Sequence, residues 1–289
     1  MSKIQNIIIL PNPERDTRLH YTKKIAALAH AAGVNVYADE KLSAKLRGEN
    51  FIFLPQDKLF ETEADTAIVL GGDGSMLDAC QKAAPVGMPV LGVNLGNLGF
   101  LTTIEKNEID KLAEVFKNGF ETEKRMMLSV SVKDDGEETL FTVLNEVTVT
   151  SSVCSKIASL ELRCGGSVAL SCLADGIIIA TPTGSTAYSL SAGGPMIDPS
   201  LEAICVTPVC PHSLTTRPLV FAPSAALTAR GKTNCQNNSG ILVTPDGKEG
   251  LLVSEKAEIT ITMSPLKTKL AKVNKHRFFD ILSNKMYRK

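Results

Sequence analysis

Four short stretches of this chain combine residue types that handle charged ligands. The first is a glycine turn with one carboxylate inside it. Gly71-Gly72-Asp73-Gly74 follows the apolar run Thr66–Leu70 and precedes a helical pattern. Glycines there let a ligand approach the backbone, and a helix N-terminus offers unpaired N–H groups to an anion. A carboxylate in such a place is repelled by phosphates unless it has a role of its own. Taking a proton from an attacking hydroxyl, or holding a divalent ion, would be such a role. The plain alternative is a tight turn in which the aspartate caps the helix. The pattern alone does not separate the two.

The second stretch, Gly92-Val93-Asn94-Leu95-Gly96-Asn97-Leu98-Gly99-Phe100, also follows an apolar run. It resembles a dinucleotide fingerprint without the Gly-x-Gly-x-x-Gly spacing, and gains weight from being a second glycine-rich strand exit in the same region. The third is Asp175-Gly176, a strand, and then Thr181-Pro182-Thr183-Gly184-Ser185-Thr186-Ala187-Tyr188-Ser189, with Gly193-Gly194-Pro195 close behind. Such a loop can offer hydroxyls and backbone N–H groups to an adenine, an amide or a phosphate, or it is a polar surface loop. The fourth is Asn145-Glu146, read as part of one apolar strand, Phe141–Val149. Neighbouring strand residues face opposite ways, so one of the pair points into the protein or a cleft, unless the strand is a solvated edge.

Other patterns point away from chemistry. Gly231-Lys232-Thr233 imitates the end of a phosphate-binding P-loop, but the first glycine of that motif would fall on Ala226. There is no His-Glu-x-x-His and no Gly-x-Ser-x-Gly. Seven cysteines, at 80, 154, 164, 172, 205, 210 and 235, form no Cys-x-x-Cys, and the four histidines are far apart. Free thiols in a reducing compartment are expected, and no metal held wholly by side chains.

The elements that must position these stretches change character along the chain. Apolar runs at 4–10, 34–37, 66–70 and 89–93 alternate with helical faces. One such face is Tyr21, Ile25, Leu28, Ala29 and Ala32, closed by Gly33; residues 41–62 give no clear pattern. Residues 1–120 therefore read as an α/β domain with a parallel sheet that carries the glycine turn. Residues 121–266 hold short Val/Ile/Thr-rich runs (Leu128–Val132, Ser159–Arg163, Gly176–Ala180, Ala257–Met263) between turn signals such as Asp135-Gly136, Gly165-Gly166, Asn238-Ser239-Gly240 and Asp246-Gly247. That is a mostly β domain. Residues 267–289 form a basic tail with Phe278, Phe279, Ile281 and Leu282 as apolar anchors, expected to pack back onto the protein.

The 289 residues are enough for two cores, with 44% hydrophobic and 21% charged residues. Lys plus Arg and Asp plus Glu are equal at 31, which does not favour a nucleic-acid partner. No apolar run reaches bilayer length, and the start of the chain reads as a buried strand rather than a signal peptide, so no membrane and a cytoplasmic location are expected.

The order Gly-Gly-Asp-Gly, Gly-Asn-Leu-Gly-Phe-Leu, Asn-Glu and Asp-Gly with Thr-Pro-Thr-Gly-Ser-Thr-Ala-Tyr-Ser-Leu-Ser-Ala-Gly-Gly-Pro, spread over about residues 64–250, resembles the bacterial NAD kinases. The resemblance implies transfer of a phosphoryl group from ATP to the 2′-hydroxyl of the adenosine ribose of NAD. Asp73 would be the general base, and Gly74 with its neighbours would leave room for the diphosphate and the donor. Asn145 and Glu146 would contact adenine and ribose, Asp175 the nicotinamide end. Thr186, Ala187, Tyr188 and Ser191 would line the pocket; Phe100, Lys156, Thr183 and Lys248 are the further dinucleotide-binding positions it implies. Mg²⁺ or another divalent cation would come with ATP, and a homo-oligomer, dimer or tetramer, would complete the pocket from a neighbouring subunit. The chain departs from the family at Ser75, at Leu95 and Leu173 where many relatives have Arg, and at Lys248 where Gln is common. Two other functions stay open at this point, a lipid kinase of the diacylglycerol type and a non-catalytic NAD-binding sensor.

Overall fold

In a computed structural model of the chain, residues 3–96, 99–153, 156–233, 240–273 and 278–287 are described. Asn97, Leu98, Asn238 and Ser239, which the sequence places in two of its turns, lie outside them. The chain divides into two compact units, residues 1–124 with 267–289 and residues 125–266.

The first unit is an α/β layer. Its strands are β1 (Asn6–Pro11), β2 (Asn35–Asp39), β3 (Ile52–Leu54), β4 (Thr66–Gly71), β5 (Pro89–Asn94) and the short β6 (Ile104–Glu105). They pair in parallel in the order β3-β2-β1-β4-β5, with β6 beside the end of β5. The helices are α1 (His20–Ala31), α2 (Asp73–Ala83) and α3 (Leu112–Asn118). Strands covered on both faces read as continuous apolar runs, and β4 is buried at every position. Ile7, Ile9, Ile68, Leu70, Leu91 and Val93 pack with Ile25 and Ala29 of α1 and Phe116 of α3. The unclear stretch 41–62 contains β3 and two single turns of 3-10 helix, elements too short to leave a period in sequence.

The second unit is a pair of antiparallel sheets. It contains β7 (Glu121–Asp134, mostly in this unit), β8 (Glu137–Val143), β9 (Glu146–Ser151), β10 (Ala158–Cys164), β11 (Ser167–Ala174), β12 (Gly176–Ala180), α4 (Tyr188–Ser191), β13 (Ile204–Val209), β14 (Leu219–Phe221), β15 (Leu227–Thr233), β16 (Ile241–Pro245) and β17 (Leu251–Val253). One sheet runs β14-β13-β12-β9-β16-β17; the other includes β11-β10-β15 and the hairpin β7–β8. Leu128, Leu160, Leu162 and Ala229 from one sheet interlock with Val147, Val149, Ile177, Ile179 and Val243 from the other. The turns Asp135-Gly136 and Gly165-Gly166 have positive φ at both residues, the geometry two-residue hairpins require.

The last strand, β18 (Glu258–Lys272), pairs antiparallel with β15 in its first half and parallel with β5 near its end. Residue 267, where the sequence suggests a tail begins, lies inside it. Helix α5 (Phe278–Tyr287) follows, with the Phe278 ring 6.0 Å from that of Phe100.

One expected strand is not continuous. Phe141–Val149 breaks at Leu144–Asn145: β8 ends at Val143, and β9 starts at Glu146 in the other sheet. At the break the N–H groups of Leu144, Asn145 and Glu146 leave the strand ladder and donate to the Asp246 carboxylate at 2.8, 2.8 and 3.0 Å.

Candidate active site

In the first unit both glycine turns stand at the C-terminal edge of the parallel sheet, where β4 and β5 end side by side. Leu95 N–H donates to Gly71 O at 3.1 Å and ties the turns together. Asp73 is the first residue of α2 and does not cap it; Gly72 occupies that position, and no side chain caps the helix. The Asp73 carboxylate instead reaches the second turn, where Oδ2 accepts from Phe100 N–H at 3.0 Å and Oδ1 from Leu101 N–H at 3.1 Å. The helix-capping alternative is thereby excluded. Two N–H donors fix the carboxylate while each oxygen keeps a second lone pair. Asp73 is half-buried, and Gly74 beside it is exposed with open space where a Cβ would point. Such a group can accept a proton from a hydroxyl laid against the turn.

In the second unit the candidates gather at two ends of one sheet. At the first end are Asn145, Glu146, the loop after β12, and the turn between β16 and β17. Thr181 N–H donates to Asn145 O at 2.8 Å, and Thr181 Oγ1 to Leu144 O at 2.6 Å. Gly184 lies flat on Asn145: a Cβ there would stand 2.8 Å from the Asn145 Cα, which fixes glycine at this position. Asp246, whose φ of 47° marks the left-handed region, opens the Asp246-Gly247 turn and carries Lys248 out to an exposed position.

The serine and threonine hydroxyls of Thr181–Ser189 bond within the protein. Ser185 Oγ donates to Pro182 O at 2.6 Å and accepts from Ile197 N–H at 3.0 Å. Thr186 Oγ1 donates to Thr183 O, and Ser189 Oγ shares a hydrogen with Thr207 Oγ1 at 2.9 Å. Thr183 is buried, and its Oγ1 accepts from Arg125 Nη1 at 3.4 Å. What the loop presents outward is Tyr188, 46% exposed, with Ser191 and the partly exposed Thr186 and Ala187.

Glu146 is 6% exposed, and its Oε2 has no hydrogen-bond partner among the described residues. Burial first, and the neighbouring Asp246 carboxylate second, push its carboxyl up to about 8 from an ordinary 4.5. At neutral pH it is a neutral acid that can donate a hydrogen bond.

Asp175 and Lys156 belong to the other end of the sheet. Asp175, exposed, precedes β12, whereas Thr181 follows it, so strand geometry separates them by about 20 Å. Ser151 N–H donates to Asp175 O at 3.2 Å, and Lys156 N–H to Val153 O at 3.2 Å, which sets the exposed Lys156 near the same edge.

Three residues with a place in these arrangements carry no motif of their own. Asp246 shows only as part of a turn signal. Arg125, 8% exposed, and Arg15, exposed beside the glycine turns, give no sequence signal. The P-loop imitation Gly231-Lys232-Thr233 lies within β15. Among the described residues no cluster of three or more His, Cys, Asp or Glu could hold a metal ion, and no helix is long and apolar enough to cross a membrane.

Two glycine turns beside a fixed carboxylate, with a separate β unit holding a buried acid and a tyrosine-bearing loop, define a nucleotide-handling protein. Residues 7–120 match the ATP-NAD kinase N-terminal domain and residues 144–273 the ATP-NAD kinase C-terminal domain. The chain belongs to the ATP-NAD kinase family. It is 36% identical over 285 residues to an NAD kinase of Caldanaerobacter subterraneus, covering 98% of this chain and 99% of that one. It is 37% identical over 265 residues to an NAD kinase of Geobacter sulfurreducens, covering 91% of each. The crystal structure of an NAD kinase from Archaeoglobus fulgidus in complex with ATP superposes with a TM-score of 0.77, at 25% identity, over 96% of this chain and 98% of that one. Yeast NADH kinase complexed with NADH shares the fold, with a TM-score of 0.86 at 23% identity over 99% of this chain and 88% of that chain.

Proposed function

We infer that the chain is an NAD kinase that phosphorylates the 2′-hydroxyl of the adenosine ribose of NAD with ATP. The observation that carries the reading is Asp73, held by Phe100 and Leu101 N–H groups at the joint of two glycine turns. In this reading Asp73 accepts the proton of the 2′-hydroxyl as the hydroxyl oxygen attacks the terminal phosphorus of ATP, and the bond from that phosphorus to the bridging oxygen breaks to release ADP. The diphosphate and the donor occupy the open side of Gly74. A divalent cation bound with the triphosphate would supply neutralisation of its charge.

The dinucleotide is held by residues of the second unit. Asn145 and the neutral carboxyl of Glu146 contact adenine and ribose. Tyr188 offers a ring face, and Thr186, Ala187 and Ser191 line the same side of the loop. Thr183 supports that loop from beneath, Lys248 is exposed on the Asp246-Gly247 turn, and Phe100 belongs to the Asp73 turn of the first unit. Asp175 and Lys156, at the far end of the sheet, hold the extended nicotinamide end, and a homo-oligomer would bring a second copy's residues to the ligand.

The test is a coupled assay for NADP formed from NAD and Mg·ATP, with diacylglycerol as a rival acceptor. NADP should accumulate and inhibit competitively with NAD, and 2′-deoxy-NAD should not be phosphorylated. Binding of NAD without any NADP would leave a sensor instead of an enzyme.

A further inference from the structure

The Arg15 guanidinium lies across both glycine turns of the first unit. A Cβ on Gly72 would stand 2.7 Å from its Nη1, and one on Gly96 2.6 Å from the same atom. Any larger residue at either position would displace the guanidinium, so the missing side chains are what let it settle there. The backbone beneath Arg15 is fixed. Asn12 Oδ1 accepts from the N–H groups of Glu14 and Arg15 at 3.0 and 3.3 Å, and Asn12 O from those of Arg15 and Asp16 at 3.1 and 2.8 Å. Asn12 N–H in turn donates to Leu70 O at 2.8 Å, and its Nδ2 to Ser75 Oγ at 3.4 Å, on the strand and helix that flank the Asp73 turn.

What the guanidinium faces is not a carboxylate. Arg163 pairs with Glu161 and Arg230 with Glu258, and Arg217 donates to the carbonyls of Leu214 and Thr216. Among the described residues the Arg15 guanidinium makes no hydrogen bond or ion pair, and its residue is exposed. A permanently charged planar fork, seated on two strand-exit turns one residue from Asp73, matches a pair of phosphoryl oxygens.

We propose that Arg15 grips a diphosphate unit at the Asp73 turn, and that this unit belongs to the donor triphosphate. The proposal rests on the kinase reading above. A phosphoryl group close enough for the hydroxyl beside Asp73 to attack it is also within reach of Arg15, which adds positive charge where a transferring phosphoryl develops negative charge. Arg15 thereby supplies a cation to a turn in which position 95 is a leucine.

The test compares wild type, Arg15→Ala and Arg15→Lys by steady-state kinetics and by calorimetric binding of a non-hydrolysable Mg·ATP analogue. Arg15→Ala should raise KM for Mg·ATP about tenfold or more and weaken the analogue in parallel, with KM for NAD moving less than about threefold. Arg15→Lys should recover part of the loss, because it keeps the charge without the fork. The melting temperature should stay within about 2 °C, since the residue is exposed. A rise confined to KM for NAD would overturn the assignment to the donor and give the gripped diphosphate to the dinucleotide. Unchanged constants for both substrates would overturn the grip altogether. A wild type that binds the analogue but forms no NADP would count against the kinase reading, and the binding comparison would still decide the role of Arg15.

Discussion

Asp246 Oδ1 accepts the backbone N–H of Glu146 at 3.0 Å across 100 positions of sequence. The same carboxylate takes the N–H groups of Leu144 and Asn145. It thereby sets the bend that separates β8 from β9 and fixes the direction in which Asn145 and Glu146 point. Replacing Asp246 with Ala strands three donors, two of them on buried residues, and should cost about 3 kcal/mol or more in a urea titration. Asp246→Asn keeps one acceptor and tolerates the positive φ, so it should lose less. A loss below about 1 kcal/mol for the alanine variant would show that the bend does not depend on this carboxylate.

Glu146 gives stability a particular pH dependence. Its carboxyl is pushed up to about 8 in the folded chain, mainly by burial and then by Asp246, from 4.5. As pH rises between those values the unfolded chain releases this proton and the folded chain keeps it. The unfolded state therefore binds fewer protons, and stability falls with rising pH by up to about 1.4 kcal/mol per unit from this group. Glu146→Gln has no such proton. Its stability relative to wild type should improve steadily from pH 5 to pH 8 in denaturant titrations, and parallel curves for the two proteins would contradict the assignment.

Tyr188 is 46% exposed, so its ring is available to a ligand and contributes little to a core. Tyr188→Ala should weaken NAD binding by about 1–3 kcal/mol by calorimetry. Its melting curve should lie close to that of wild type. A collapsed melting temperature would make the ring a core element after all. Unchanged affinity with unchanged melting would move the pocket away from this loop.

The parallel unit was legible because its strands are buried on both faces and its glycine turns stand where strand gives way to helix, as at Leu70–Asp73. Gly176–Ala180 was legible for the same reason, with Ile177 and Ile179 facing one core and Ile178 and Ala180 another. The break at Leu144–Asn145 was not, because apolar residues resume at Val147 as in one continuous strand and the cause is a carboxylate a hundred positions away. The hydroxyls of Thr181–Ser189 looked like ligand donors in a string of letters. The folded loop shows that Thr181, Ser185, Thr186 and Ser189 bond within the protein, and the string could not tell inward from outward. Arg15 leaves no trace in the sequence because an arginine in a Pro- and Asn-containing loop has no pattern. Its position follows from β1, β4 and β5 lying next to one another in the sheet, which sequence order conceals.

As the general base, Asp73 would take the proton from the 2′-hydroxyl of NAD during phosphoryl transfer. Asp73→Asn preserves the size of the side chain and at least one acceptor for the Phe100 and Leu101 N–H groups, while removing the basicity. The direct measurement is the rate of NADP formation from NAD and saturating Mg·ATP for wild type and Asp73→Asn, with NAD affinity determined on both. Turnover should be lower by at least about a hundredfold in the variant, with NAD bound nearly as well. Near-normal NADP formation by Asp73→Asn would rule out Asp73 as the base.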